Sequence, residues 1–283
     1  AAEGFPAMFC RCDACEEARR LGGINLRTRS QALIGEDLLL DFPPDTYAHA
    51  MRYGLRLDAV KYLFVTHAHC DHFSPDDLTM RGAPYSHRMR QARLNVYGND
   101  GVEELFERAR ADMPAEMAES YTFVRLRAYT PVQAGAYTVI PLPARHSGGK
   151  EPFIFAIRGE GKNILYAHDT GMIFGEVFDF LAKEKLRFDL VSLDCTMVAN
   201  PVSDEGCHMG ADGCVRVLAR LTENGNADGD TLCYANHFSH NGAPLQENLE
   251  RLLSPHGIRV AYDGLGIELG PLCPRTGAGC RSP

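Results

Sequence analysis

Short, mainly apolar runs recur along the chain, separated by segments rich in Gly, Pro, Asp and Asn. Residues 60–65 form a nearly continuous apolar run, the pattern of a strand buried on both faces. Segments 31–34 and 37–42 read as a hairpin turning at Gly35-Glu36, and 94–97 as a further strand. From Tyr121 onward strands dominate, over 121–126, 137–142, 153–157, 163–167 and 190–193, with a turn at 159–162. The pattern adds a strand at 231–235 and a closing pair, 259–262 with 267–269, about Asp263-Gly264. Helical periodicity or capping marks 15–21, 101–111 before Pro114, 210–221 and 245–253. Pro43-Pro44 opens another helix that runs to about Tyr53 and closes on Gly54. Ser74-Pro75-Asp76-Asp77 reads as N-cap, first-turn proline and acidic first turn of one more.

Composition narrows the class. At 283 residues, 45% hydrophobic and 23% charged, the chain suits one substantial core, and a single domain over 1–283 is expected. A net charge of −8 disfavours extended nucleic acid as a partner, and the arginines between Arg81 and Arg93 read as a solvated face. No run approaches the roughly 18 apolar residues of a membrane span and no signal segment is visible, so a cytoplasmic location is expected. Ten cysteines sit mostly as scattered single residues, as in a reducing compartment. The tail from Gly270, with Cys273 and Cys280, is expected to pack loosely.

The chemistry concentrates in Thr66-His67-Ala68-His69-Cys70-Asp71-His72, directly after the apolar run at 60–65. Side chains at i and i+2 of an extended segment share a face, so His67 and His69 can reach one metal. Asp71 and His72, in the turn that follows, can face a second. Imidazoles suit zinc or another first-row metal and the carboxylate adds a hard oxygen. Three later strands also lead to a candidate ligand: 137–142 to His146, 163–167 to Asp169 and 231–235 to His237. A lone histidine beyond a strand is usually a surface or hydrogen-bonded residue; repetition at four strand ends favours a metal centre.

His-x-His-x-Asp-His, followed by an isolated His, an isolated Asp and a late His, resembles the signature of the metallo-β-lactamase superfamily over about residues 31–269. The resemblance implies an α/β fold, the four-layer αββα sandwich, with two divalent metals, Zn or Mn, at one edge of the paired sheets. It implies that His67, His69 and His146 hold one metal, Asp71, His72 and His237 the other, and that Asp169 bridges them. A carboxylate at the bridging position points away from β-lactam hydrolysis and toward phosphate chemistry. His168 beside it reads as a supporting or packing residue.

Cys10-x-Cys12-x-x-Cys15 supplies three thiolates, and a closed zinc site needs a fourth ligand. His240, three residues beyond His237, offers it. Together these motifs resemble the PhnP-type phosphoribosyl cyclic phosphodiesterases, in which such residues hold a structural zinc; residues 1–30 are read as that zinc loop. Cys207-His208-Met209-Gly210 resembles the pattern in which a histidine faces the scissile phosphate, which implies His208 as general acid and Asp71 as an orienting group for a metal-activated hydroxide. His49, His87 and His256 have no such context and read as surface residues.

The expected function is therefore hydrolysis of a small, cyclic or linear phosphodiester, with a homodimer suggested by the resemblance. The family's first strand, with its Gly-Thr-Gly turn, does not precede Ala1, so a truncated or trimmed chain is expected. An RNA-processing nuclease of the tRNA 3′-processing type ranks second, because only 22 residues lie between His146 and Asp169 and no Arg-Tyr pair follows His237. A thioester or lactone hydrolase ranks third, and a non-enzymatic metal-binding protein last.

Overall fold

The structure is a computed structural model that describes residues 1–146 and 150–270. In chain order the elements begin with α1 (Asp13–Leu21), β1 (Ala32–Ile34), β2 (Leu38–Leu40), α2 (Thr46–Tyr53), β3 (Tyr62–Phe64), β4 (Leu94–Gly98), α3 (Asp100–Ala111), α4 (Ala115–Ala118) and β5 (Tyr121–Arg125). The second half contains β6 (Val132–Ala134), β7 (Tyr137–Pro143), β8 (Phe153–Gly159), β9 (Lys162–Ala167), α5 (Gly175–Lys183), β10 (Leu190–Asp194), α6 (Ala211–Glu223), β11 (Leu232–Asn236), α7 (Gln246–Leu253) and β12 (Ile258–Val260). One sheet has the order β1-β2-β3-β4-β5 and the other β12-β11-β10-β9-β8-β7-β6.

The side chains sort into layers because successive residues of a strand face opposite sides. Leu38, Leu40, Phe64, Phe153, Phe155 and Ile157 meet between the sheets. Phe64 stacks on Tyr97 at 4.2 Å between ring centroids and meets the Phe155 ring edge-on at 5.8 Å. Leu39 and Leu63 turn the other way, onto a core that includes Val102 and Phe106 of α3. Across the molecule, Ile154, Ala156, Leu165 and Val191 pack against Val177 and Leu181 of α5, Val217 of α6 and Leu249 of α7. Helix, sheet, sheet, helix is thus the observed order, the expected αββα sandwich.

Strands β2 to β5 run parallel, as do β9 to β12. The two antiparallel steps from β7 through β8 to β9 leave β7 and β9 pointing the same way. Several strands of both sheets therefore discharge their carboxyl ends at one edge of the sandwich, where ligands of open α/β sheets gather.

Four expectations change. The segment after the histidine cluster is a 3-10 helix, Pro75–Met80, and Ser74 makes no side-chain cap. Residues 267–269 form no strand, because no neighbouring strand supplies a ladder beside them; they line a cleft of about 840 Å³ along β1 and the inner faces of β9, β10 and β11. His49 is buried, not superficial: α2 turns it inward, where Nε2 lies 2.7 Å from Thr28 Oγ1 and Nδ1 lies 2.8 Å from Gln31 Oε1. α4, α5 and β6 are elements that the apolar pattern does not mark. The tail expected to pack loosely lies, beyond Gly270, outside the described residues.

Candidate metal centre

Asp41 after β2, His67 after β3, His146 after β7, Asp169 after β9, Asp194 at the end of β10 and His237 after β11 come together at the shared edge. Asp41, Asp169 and His237 hold left-handed backbone, with φ of 59°, 57° and 60°. Such a conformation costs a non-glycine residue on the order of 1–3 kcal/mol and concentrates at functional sites. Here it turns the chain sharply off the strand and sends the side chain inward, a job glycine cannot do.

Two groups of donors share one oxygen. His67 Nε2 and His146 Nε2 each lie 3.0 Å from His69 Nδ1, and 3.0 and 3.1 Å from Asp169 Oδ2. On the other side, His72 Nε2 lies 3.0 Å from His237 Nε2, 3.5 Å from Asp71 Oδ2 and 3.4 Å from the same Asp169 Oδ2. Each group, His67, His69, His146, Asp169 and Asp71, His72, Asp169, His237, could hold a metal ion. Donor separations of 3.0–3.5 Å suit the edges of a tetrahedron around an ion at roughly 2.0–2.2 Å.

The surrounding hydrogen bonds fit the same reading. His72 Nδ1 donates to Asp41 Oδ2 at 2.8 Å, and His146 Nδ1 donates to the Cys207 carbonyl at 3.2 Å. Each of these rings therefore turns an Nε2 lone pair toward the other donors, and convergent lone pairs in a buried site call for a cation. Asp41 is itself fixed by the Thr66 N–H and hydroxyl, both at 2.9 Å, and by the Tyr166 hydroxyl at 3.0 Å. His237 Nδ1 lies 2.8 Å from Thr196 Oγ1, which donates to Asp194 Oδ2 at 2.9 Å.

Asp41 and Asp194 were not predicted. Both are fully buried carboxylates that orient a histidine. The only sequence signal for them is an apolar strand ending on Asp, Leu38-Leu39-Leu40-Asp41 and Leu190-Val191-Ser192-Leu193-Asp194.

His208 sits at the mouth, its side chain 24% exposed, with Nδ1 2.9 Å from Asp169 Oδ1 and 3.6 Å from Asp194 Oδ2. Burial pushes its pKa down, but the two carboxylates outweigh that and raise it to about 10. His168 has Nε2 2.6 Å from Ser192 Oγ and packs on the Tyr166 ring at 4.0 Å, consistent with a supporting role. His87 and His256 are exposed, as expected.

The structure also brings the N-terminal thiols together with His240. Ligand atoms of Cys10, Cys12, Cys15 and His240 all lie within 4.8 Å of one another, with Cys12 Sγ 3.8 Å from His240 Nδ1. Cys15 is anchored in a small core with Phe5, Ala7 and Ala18. Glu3 accepts from the His240 N–H at 2.7 Å and from the Ser239 hydroxyl at 2.9 Å, holding the segment just beyond His237.

Comparison with known proteins agrees with this architecture. The family described as "Beta-lactamase superfamily domain" matches residues 37–225. A crystal structure of a diphosphatase from the PhnP family is 22% identical, with a TM-score of 0.70 over 93% of this chain and 91% of that one. Zn²⁺-bound PqqB from Methylobacterium extorquens is 18% identical, with a TM-score of 0.66 over 95% and 97%. The short form of human tRNase Z is 16% identical, with a TM-score of 0.60 over 87% and 93%. No match was found among curated proteins. Among the described residues no helix is long and apolar enough to cross a membrane. With the family match covering most of the chain and the αββα order observed, the chain belongs to the beta-lactamase superfamily and carries the metallo-β-lactamase fold of its metal-dependent hydrolases.

Proposed function

We propose that this chain is a dinuclear metal-dependent phosphodiesterase acting on a small, cyclic or linear phosphodiester, of the kind the PhnP-type enzymes represent. The observation that carries the proposal is Asp169 Oδ2, a hard carboxylate oxygen lying 3.0–3.4 Å from histidines of both donor groups. His67, His69 and His146 would hold one metal, Asp71, His72 and His237 the other, and Asp169 both. Bound there, Zn²⁺ or Mn²⁺ would polarise phosphoryl oxygens and lower the pKa of an attacking water.

The chain's own groups supply the rest. Asp71, 19% exposed, is positioned to accept a hydrogen bond from the attacking water and fix its direction. His208, with Nδ1 2.9 Å from Asp169 Oδ1 and 3.6 Å from Asp194 Oδ2, stands at the open side of the site and would protonate the leaving oxygen. Cys10, Cys12, Cys15 and His240 would hold a structural zinc that braces the loop bearing His237. A homodimer in the cytoplasm is part of the same proposal.

The test is a substrate panel, including ribose 1,2-cyclic and nucleoside 2′,3′-cyclic phosphates, assayed after chelation and after Mn²⁺ or Zn²⁺ is restored. Metal-dependent turnover of at least one small diester is expected. Turnover confined to thioesters or lactones would overturn the phosphodiesterase assignment.

A further inference from the structure

Beside the two catalytic donor groups stands a third that the reaction does not use as a unit. Ligand atoms of His146, Cys207 and His208 lie within 4.8 Å of one another. The two imidazole rings are 5.0 Å apart between centroids, inclined at 61°, and the thiol is half-buried between mouth and solvent.

The segment is held in place on its other side. Arg145 Nη1 lies 2.8 Å from Glu205 Oε2, and its guanidinium sits 4.4 Å over the Phe174 ring. A Cβ on Gly171 would fall 1.9 Å from the Gly206 carbonyl oxygen, so the two loops meet backbone to backbone. These contacts hold the segment that leads into Cys207.

We propose that Cys207, His208 and His146 form an inhibitory metal site selective for a soft divalent cation, Zn²⁺ or Cd²⁺, over Mn²⁺ or Mg²⁺. The inhibitory consequence rests on the phosphodiesterase reading above; the binding does not. Selectivity follows from donor type, because a thiolate with imidazoles favours soft ions, whereas the bridging centre carries two carboxylates and no sulfur. Inhibition follows from shared ligands. A neutral imidazole offers one lone pair, so His146 can engage the ion beside Cys207 only by shifting its ring proton from Nδ1, where it bonds the Cys207 carbonyl, to Nε2, which removes Nε2 from the group formed by His67, His69 and Asp169. His208 bound to the same ion can no longer deliver a proton.

The experiment uses the full chain loaded with Mn²⁺ in the catalytic centre and Zn²⁺ in the Cys10, Cys12, Cys15 site, titrated with Cd²⁺. Cys207→Ser is compared with wild type and with a control, Cys70→Ser, each normalised to its own cadmium-free rate. In Cys207→Ser the half-inhibiting Cd²⁺ concentration is expected to rise by at least roughly tenfold, the lower end of what losing even an outer contact costs a metal site. Cys70→Ser should follow wild type. Cadmium NMR of the same samples should show a one-sulfur resonance that Cys207→Ser lacks. Equal inhibition of wild type and Cys207→Ser overturns the inhibitory role, and an unchanged resonance overturns the site itself. If no phosphodiester is turned over by any variant, the functional reading fails while the NMR comparison still decides whether Cys207 binds the ion.

Discussion

His208 illustrates how position rather than identity assigns a role. Its Nδ1 faces two buried carboxylates, Asp169 and Asp194, while its side chain stays partly exposed at the edge of the site. Replacing it with alanine removes the proposed proton donor and none of the groups in either candidate donor set. His208→Ala is therefore expected to retain both active-site metals yet lose about 10²–10⁴-fold in turnover of bis(p-nitrophenyl) phosphate. Metal analysis beside the rate makes the check, since loss of metal together with rate would make His208 a structural residue. The same neighbourhood shows what a sequence makes legible. His67, His69, Asp71 and His72 stand out because four donors crowd six positions, and His146, Asp169 and His237 because each repeats the strand-end pattern. Asp41 and Asp194 do not, since neither falls in the His-x-His-x-Asp-His, His, Asp, His order and an aspartate at a strand end is by itself equally the mark of a turn. Their role depends on contacts with residues 31 and 43 positions away, His72 and His237. His49 is the converse case: only the packing of α2 decides that its ring turns inward.

Among the elements, those with an unambiguous period were readable and those defined by a neighbour were not. The parallel strands announce themselves as apolar runs, as at 60–65 and 163–167. β6 is three residues long, and 267–269 has strand-like composition but no adjacent ladder. The entrance to α2 shows how local contacts settle such boundaries. The helix begins at Thr46, after Pro43-Pro44, and Asp45 reaches back to the segment before β1. Its carboxylate accepts from the Arg29 N–H at 2.8 Å, from Nε at 2.7 Å and from Nη2 at 3.0 Å. Burial raises the Asp45 pKa, but these Arg29 contacts outweigh it and hold the value below that of a free carboxyl. A folded pKa below the unfolded one stabilises the protein above the unfolded value, about 3.9, and the contribution disappears as pH falls through the folded value. Asp45→Asn is accordingly expected to cost on the order of 1.5–3 kcal/mol at neutral pH, as hydrogen bonds to a charged group do. Urea unfolding of both proteins across the acid range should show the gap narrowing below about pH 4. A gap independent of pH would mean that helix packing, not the ion pair, sets the effect.

At the level of the whole molecule, the candidate metal centre is also a joint between the two sheets. His67, His69, Asp71 and His72 follow β3 of one sheet, whereas His146, Asp169 and His237 follow β7, β9 and β11 of the other. The sheets already share an apolar core around Phe64 and Phe155, a contact between them that involves none of the candidate ligands. The edge is different: there, buried imidazoles and carboxylates face one another. Without metal these titratable groups would be left desolvated, which favours opening along that edge. Ions that bind only the folded chain stabilise it by mass action, about 4.1 kcal/mol for each site at a free concentration a thousand times its Kd. Chelation is therefore expected to lower the thermal midpoint and to raise hydrogen exchange first at 66–72 and 236–240. Exchange in β8, which contributes no ligand, should change least. Uniform loss of protection through both sheets would show instead that the ions hold the sandwich together, and no change in midpoint would show that the seven residues do not bind metal in the folded chain.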